Sequence, residues 1–185
     1  MNGQGVMLSA GGQSMHLAYR ETAILFGIGV TLHNLEEALN GPRWMREHRM
    51  PLFEPNGAIY WALTSLVSAV IWVAVLGVWL EPWNSEFQNV LTGFALAMAL
   101  NAVFPHLAMS LARRSYVPGT ASGVLLNLPL GIALMGDRMA STPSDFLAWR
   151  SAIGVALLLG AGSMGALYGA HAFLAWRRSR PADGG

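Results

Sequence analysis

The sequence contains no cysteine and no lysine, and only 11% of its 185 residues are charged. Without cysteine, disulfides, thiolate nucleophiles and cysteine-ligated zinc or iron–sulfur sites are excluded. A soluble domain carries about a quarter charged residues, so this chain lacks the charge to coat a water-facing surface. Its eleven basic residues, all arginine, leave a net charge of +1. No concentrated basic patch marks nucleic acid as a partner. The first sixteen residues, MNGQGVMLSAGGQSMH, hold no arginine and so lack the basic start of a signal peptide. Residues 1–18 are expected to form a disordered polar tail.

What is abundant is apolar surface, at 54% of residues. Crossing the hydrocarbon of a bilayer takes about 20 mostly apolar residues. Five stretches qualify: Tyr19–Leu39, Gly57–Leu80, Phe87–Ala112, Gly119–Gly136 and Phe146–Trp176. The expected fold is therefore an all-α polytopic transmembrane bundle of about five spans over residues 19–176, with a basic, flexible tail at 177–185. The fourth stretch is short and contains Pro129, so a re-entrant segment and a four-span bundle form the alternative. Between the spans, GPRWMREHRMPLFEPN and RRSYVP combine proline, glycine and arginine as loops do. Trp44, Trp83, Trp149 and Trp176 fall near the boundaries, where indole rings anchor. Eight arginines (43, 46, 49, 113, 114, 177, 178 and 180) lie on one side of a five-span arrangement and three (20, 138 and 150) on the other. The positive-inside rule then puts the N-terminus outside and the C-terminus in the cytoplasm. Ala161, Gly165 and Gly169 form a small-residue stripe that suits close approach of another helix.

The first span carries an anomaly. At about 100° per residue, Glu36 and Glu37 flank His33 on one helix face, with Asn40 between them and Gly29 one turn before. The opposite arc is apolar apart from Thr31. Carboxylates inside a membrane helix cost about 2.5–3.5 kcal/mol each on insertion scales. Two neighbours cannot both stay ionised at low dielectric without a cation, so a metal, a proton or an arginine must compensate them. The bland alternative is that they hydrogen-bond neighbouring helices or reach the interface.

Other polar groups arrive at the same depth. His106 precedes Arg113 by seven residues and His171 precedes Arg177 by six, which sets both about 9–10 Å inside the cytoplasmic boundary. His33 lies nine residues before Pro42, at a similar depth, and Asn127 reaches that layer from the fourth span. The ring of Pro105 displaces the carbonyl of Asn101 and kinks the helix, so Asn101 either satisfies that kinked backbone or serves the site.

These residues suit a metal. A histidine and a glutamate four apart can hold one ion from a single helix, and catalytic zinc takes three protein ligands and leaves a position for water. The expected ligands are His33, Glu37, His106 and His171, with Glu36 as general base and Asn101 as a second catalytic residue. Zinc is favoured, with iron or manganese as alternatives. The layout parallels the His-x-x-Glu-His arrangement of inverted zinc peptidases, with Glu37 in place of the second histidine. A di-iron carboxylate site fits less well, since the other acidic residues all lie in or near loops and tails. The glutamate-type CAAX proteases place an arginine where this chain has Gly41. A metal-free reading keeps the His/Glu cluster as a proton relay in a proton- or ion-coupled carrier.

The string TLHNLEEAL resembles the signature of the HXXEE-domain family of small multispanning bacterial membrane proteins. Asn101, Val103, Phe104, Pro105 and His106, followed by Arg114, Ser115, Tyr116, Val117, Pro118 and Gly119, look like that family's second polar block. The resemblance covers roughly residues 20–175. It implies a bacterial membrane protein with catalysis suspected at the polar residues, here His33, Glu36, Glu37, Asn101 and His106. The combined expectation is a metal-dependent enzyme of the bacterial inner membrane, a hydrolase acting on a lipid or other amphipathic molecule at the cytoplasmic leaflet. A homo-oligomer is left open.

Overall fold

The computed structural model describes residues 10–48, 57–141 and 146–179, and the side chains at 10–17, 146–148, 167, 171, 175, 178 and 179 lie outside that description. The described residues form five helices: α1 (Ala10–Glu47), α2 (Gly57–Leu80), α3 (Ser85–Arg113), α4 (Thr120–Ser141) and α5 (Phe146–Ser179). No strand occurs among the described residues. Helices α2 to α4, and α5 over Trp149–Leu174, are long and apolar enough to cross a membrane. The longest helix, α1, is not among these spans. Its central stretch holds Arg20, Glu21, His33, Glu36 and Glu37, which dilute an otherwise apolar run. About five expected spans therefore become five helices with four spans of membrane character.

Both ends of α1 differ from expectation. The helix begins at Ala10, so the tail expected over 1–18 is helical from that residue onward, while residues 1–9 lie outside the described part. Once nucleated, a helix adds one hydrogen bond for each residue fixed, and no proline interrupts Ala10–Ala18. At the other end α1 runs through Pro42 to Glu47. The proline removes one backbone bond, but Pro42 and Met45 are buried, and the Tyr60 hydroxyl of α2 donates to Met45 Sδ at 3.2 Å. Packing holds the last turns where propensity alone would end them. The segment expected as a basic tail from 177 continues α5 to Ser179, and residues 180–185 lie outside the described part.

The apolar core draws on four helices: Phe26 and Val30 from α1, Ile71, Val75 and Val78 from α2, Leu91, Phe94 and Met98 from α3, and Leu134 from α4. Helix α3 sits among α2, α4 and α5. Its Gly93 lets α5 approach to backbone contact, since a Cβ there would fall 2.7 Å from the Ala152 carbonyl oxygen and 2.5 Å from Val155 Cβ. Within the described residues the stripe at Ala161, Gly165 and Gly169 meets no helix of this chain. All three residues are exposed, and a Cβ on Gly165 or Gly169 would meet nothing within 4 Å among the described residues. Helix α5 is held through its first turns, at Ala152 and Ala156. Exposed leucines and valines such as Leu66, Val73, Leu76, Leu125, Leu157 and Leu158 clothe the outer faces, as hydrocarbon solvent allows. By the length and apolar character of its helices, this is a membrane protein.

Two helices depart from regular α geometry at matching places. Pro105 leaves the Asn101 carbonyl without its usual donor, and α3 kinks within its π-type stretch Ala102–Leu107, where Phe104 leaves the helix at φ −136 and ψ 120. Helix α4 has π-type turns over Gly123–Asn127. The stretches touch: a Cβ on Gly123 would lie 3.2 Å from that of Ala102. Such wide turns re-aim side chains and recur at functional sites.

Candidate metal centre

Helix α1 delivers His33, Glu36 and Glu37 from one face, and the π-type turns of α3 deliver His106. The imidazoles of His33 and His106 meet edge to face, with ring centroids 4.9 Å apart. Glu37 Oε1 lies 2.9 Å from His106 Nε2 and 3.7 Å from His33 Nε2. One ligand atom from each of the three residues falls within 4.8 Å of the others, the one such group among the described residues. Both histidines are buried, while the Glu37 side chain is 26% exposed. Ligands bound to zinc at about 2.0–2.1 Å in a tetrahedron stand about 3.4 Å apart, so modest shifts of these side chains about a common centre would suit an ion.

The protonation of His33 follows from its partners. Its Nδ1 lies 3.0 Å from the Gly119 carbonyl oxygen, which can only accept. Nδ1 therefore carries the hydrogen and Nε2 presents a lone pair. Asn101 donates from Nδ2 to that lone pair at 3.0 Å. His106 is less well served: Nε2 approaches Glu37 at 2.9 Å, yet neither of its ring nitrogens makes an aligned hydrogen bond. A close carboxylate without an aligned N–H is the arrangement that a shared cation relieves.

Glu36 is engaged elsewhere. Its Oε1 accepts from the Tyr116 hydroxyl and, at 2.9 Å, from the Gly119 amide; its Oε2 accepts from the Ser122 hydroxyl at 2.5 Å and the Ser122 amide at 3.4 Å. These amides belong to the start of α4, whose N-cap Gly119 has no side chain to offer. A carboxylate from α1 thus caps α4, where exposed N–H groups and the helix dipole favour negative charge. Gly119 joins both halves of the site: its N–H holds Glu36, and its carbonyl holds His33. No other residue would serve, because φ there is +92° and a Cβ would fall 2.7 Å from His106 Cε1 and 2.8 Å from His33 Cε1.

Of the residues expected from sequence, the structure brings together His33, Glu37, Asn101 and His106, with Glu36 beside them facing the loop. The side chain of His171 lies outside the described residues. Ser122 is a site residue that sequence reasoning missed, and Tyr116 and Gly119, seen there as part of the second polar block, were given no role. A signal existed for Gly119 and Ser122: glycine followed by Thr-Ala-Ser at the start of an apolar run marks a helix entrance.

A bundle of membrane-length helices with a buried imidazole–carboxylate cluster defines the class. Within it, the chain belongs to the HXXEE family, described as a protein of unknown function with HXXEE motif, whose pattern matches residues 24–134. The motif itself is His33-Asn34-Leu35-Glu36-Glu37. The chain is also 24% identical over 135 residues to "Uncharacterized protein YrkK" of Bacillus subtilis (strain 168), covering 73% of this chain and 84% of that relative. No solved structure matches.

Proposed function

We propose that this protein is a metal-dependent membrane hydrolase, with zinc held by His33, Glu37 and His106 and a site opening toward the cytoplasmic leaflet of the bacterial inner membrane. The observation that carries the reading is the convergence of one carboxylate and two imidazole ligand atoms within 4.8 Å of one another in a largely buried setting. Iron or manganese is compatible with the same donors, although two imidazoles favour zinc. When bound, such an ion lowers the pKa of a coordinated water to about 7.

The chain's own residues then divide the work. His33 offers Nε2 because Gly119 holds the hydrogen on Nδ1, the outer contact that orients ligating histidines. Asn101 must release that lone pair to an ion, and its amide is then placed to hold a water or a substrate carbonyl. Glu36, expected as the general base, has its oxygens committed to the start of α4. Its proposed share is therefore to position the Gly119 loop. Glu37 keeps Oε2 for proton transfer. The substrate is a lipid or another amphipathic molecule, since the site lies in a bundle whose outer faces are apolar.

The test is elemental analysis of purified protein, native and metal-supplemented, beside a hydrolysis screen on ester and amide lipids. About one zinc, iron or manganese per chain is expected, with loss in Glu37→Gln. No metal in either preparation would sink the reading. The same triad, with Glu37 between two histidines, also suits a proton relay in a carrier. Metal-free protein whose liposome flux vanishes in Glu37→Gln would favour that second reading.

A further inference from the structure

Asn127 lies about one helical turn deeper than the histidine layer, and nothing in the proposed reaction uses it. Its side chain is 0% exposed, and neither Oδ1 nor Nδ2 has a hydrogen-bond partner in the described structure. It ends the π-type turns of α4, the stretch whose first residue, Gly123, touches Ala102 of α3. Across from it α1 carries Gly29, four residues and about 6 Å before His33. The absent side chain of Gly29 leaves room for the amide: a Cβ there would lie 3.0 Å from Asn127 Oδ1 and 3.3 Å from Leu126 Cβ.

A buried amide left without a partner is strongly unfavourable, and in a bilayer no bulk water relieves it. A leucine would fill similar space without that penalty. The chemistry of the missing partner follows from the amide, which offers an acceptor and donors side by side. A hydroxyl complements it, because it donates one hydrogen bond and accepts others while staying neutral in an apolar setting. We propose that Asn127, where its amide faces Gly29, is a binding point for a hydroxyl group. Its source is either a water molecule or the alcohol of an amphipathic ligand reaching past the histidines. The site needs no metal.

Two measurements distinguish the sources. One is a structure, from lipid-grown crystals, that resolves ordered solvent. The other is thermal unfolding of the detergent-solubilised protein with increasing 1-decanol, for wild type, Asn127→Leu and Gly29→Ala. An oxygen within about 3.2 Å of both amide atoms identifies water. A decanol-dependent rise in wild-type midpoint of about 2–4 °C, lost in both variants, identifies an alcohol. Absence of both in the wild type overturns the proposal, whether or not Asn127→Leu folds. Gly29→Ala crowds the amide without altering a proposed metal ligand, so its metal content should match wild type. Metal missing from every protein would end the hydrolase reading and leave the hydroxyl site standing.

Discussion

The bundle buries two polar layers, near opposite ends of α3 and α4. Toward the start of α3, Arg138 of α4 donates from Nη1 to Gln88 Oε1 at 2.5 Å and from Nη2 to Asn89 Oδ1 at 3.0 Å. About 18 Å along α3, His33, Glu37, Asn101 and His106 form the second layer. In the first, a guanidinium meets neutral amide oxygens, and each bond is aligned and charge-assisted. In the second, a carboxylate lies close to two imidazoles, while His106 makes no aligned hydrogen bond. Groups that complete one another with fixed charges hold helices together. Groups that approach one another incompletely are the ones to which the proposed function assigns a proton or an ion. The same contrast divides Glu36 from Glu37: adjacent on one helix, the first accepts four hydrogen bonds from the loop and α4, and the second faces the histidines.

This contrast can be broken most sharply at Glu37. Glu37→Gln keeps the shape and removes the charge, so metal affinity should fall by at least about 100-fold, read by competition with a chromophoric chelator. Retention of wild-type affinity would move Glu37 out of the ligand set. Arg138→Met tests the other layer, because it leaves two amide oxygens buried without their donors. We expect a loss on the order of 3 kcal/mol in unfolding free energy, with metal content unchanged. A fall in metal content would show that the layers are coupled.

Glu36→Gln should have a smaller, mixed effect. The amide still fits the start of α4, but it loses charge-assisted acceptance and the dipole contribution, about 1–2 kcal/mol in stability. Through Gly119 it should also weaken metal binding by about 10-fold. A full loss of turnover with intact metal affinity would instead return Glu36 to the role of base. The smallest effect is expected on the face of α1 turned away from the cluster, at Thr31, whose hydroxyl accepts from Trp72 Nε1 at 3.0 Å. Thr31→Val should cost about 1 kcal/mol and leave metal binding untouched, as calorimetry and chelator competition can check.

Much of the candidate site was legible in the chain. The placement of His33, Glu36 and Glu37 on one helix face follows from spacing alone. Equal depth of His33 and His106 follows from counting residues back to the loop boundaries, and the two rings do meet. The wide turns of α3 begin one residue after Asn101 and include Pro105, as loss of a backbone donor there implies. Less legible was the fate of each carboxylate. Glu36 and Glu37 are the same residue type, one position apart, and only the path of the loop at 114–119 separates them. Gly119 was visible as part of a motif, but its two-handed contact required both α1 and α4 to be in place. The ends of α1 were also obscure, because Pro42 is kept helical by Met45 and Tyr60 packing and not by local preference.

The sequence by itself determined an all-helical membrane bundle and the HXXEE face, because hydropathy and helical periodicity are local properties of a chain. Composition also sets α1, the bearer of the motif, apart from the four strongly apolar spans, whereas tertiary structure decided what its polar face meets. Tertiary structure also decided that Glu36 caps α4 while Glu37 faces His33 and His106, and that Asn127 lies buried against Gly29. Those outcomes depend on which helix stands beside which, and on the few ångströms of close approach that residues without side chains permit.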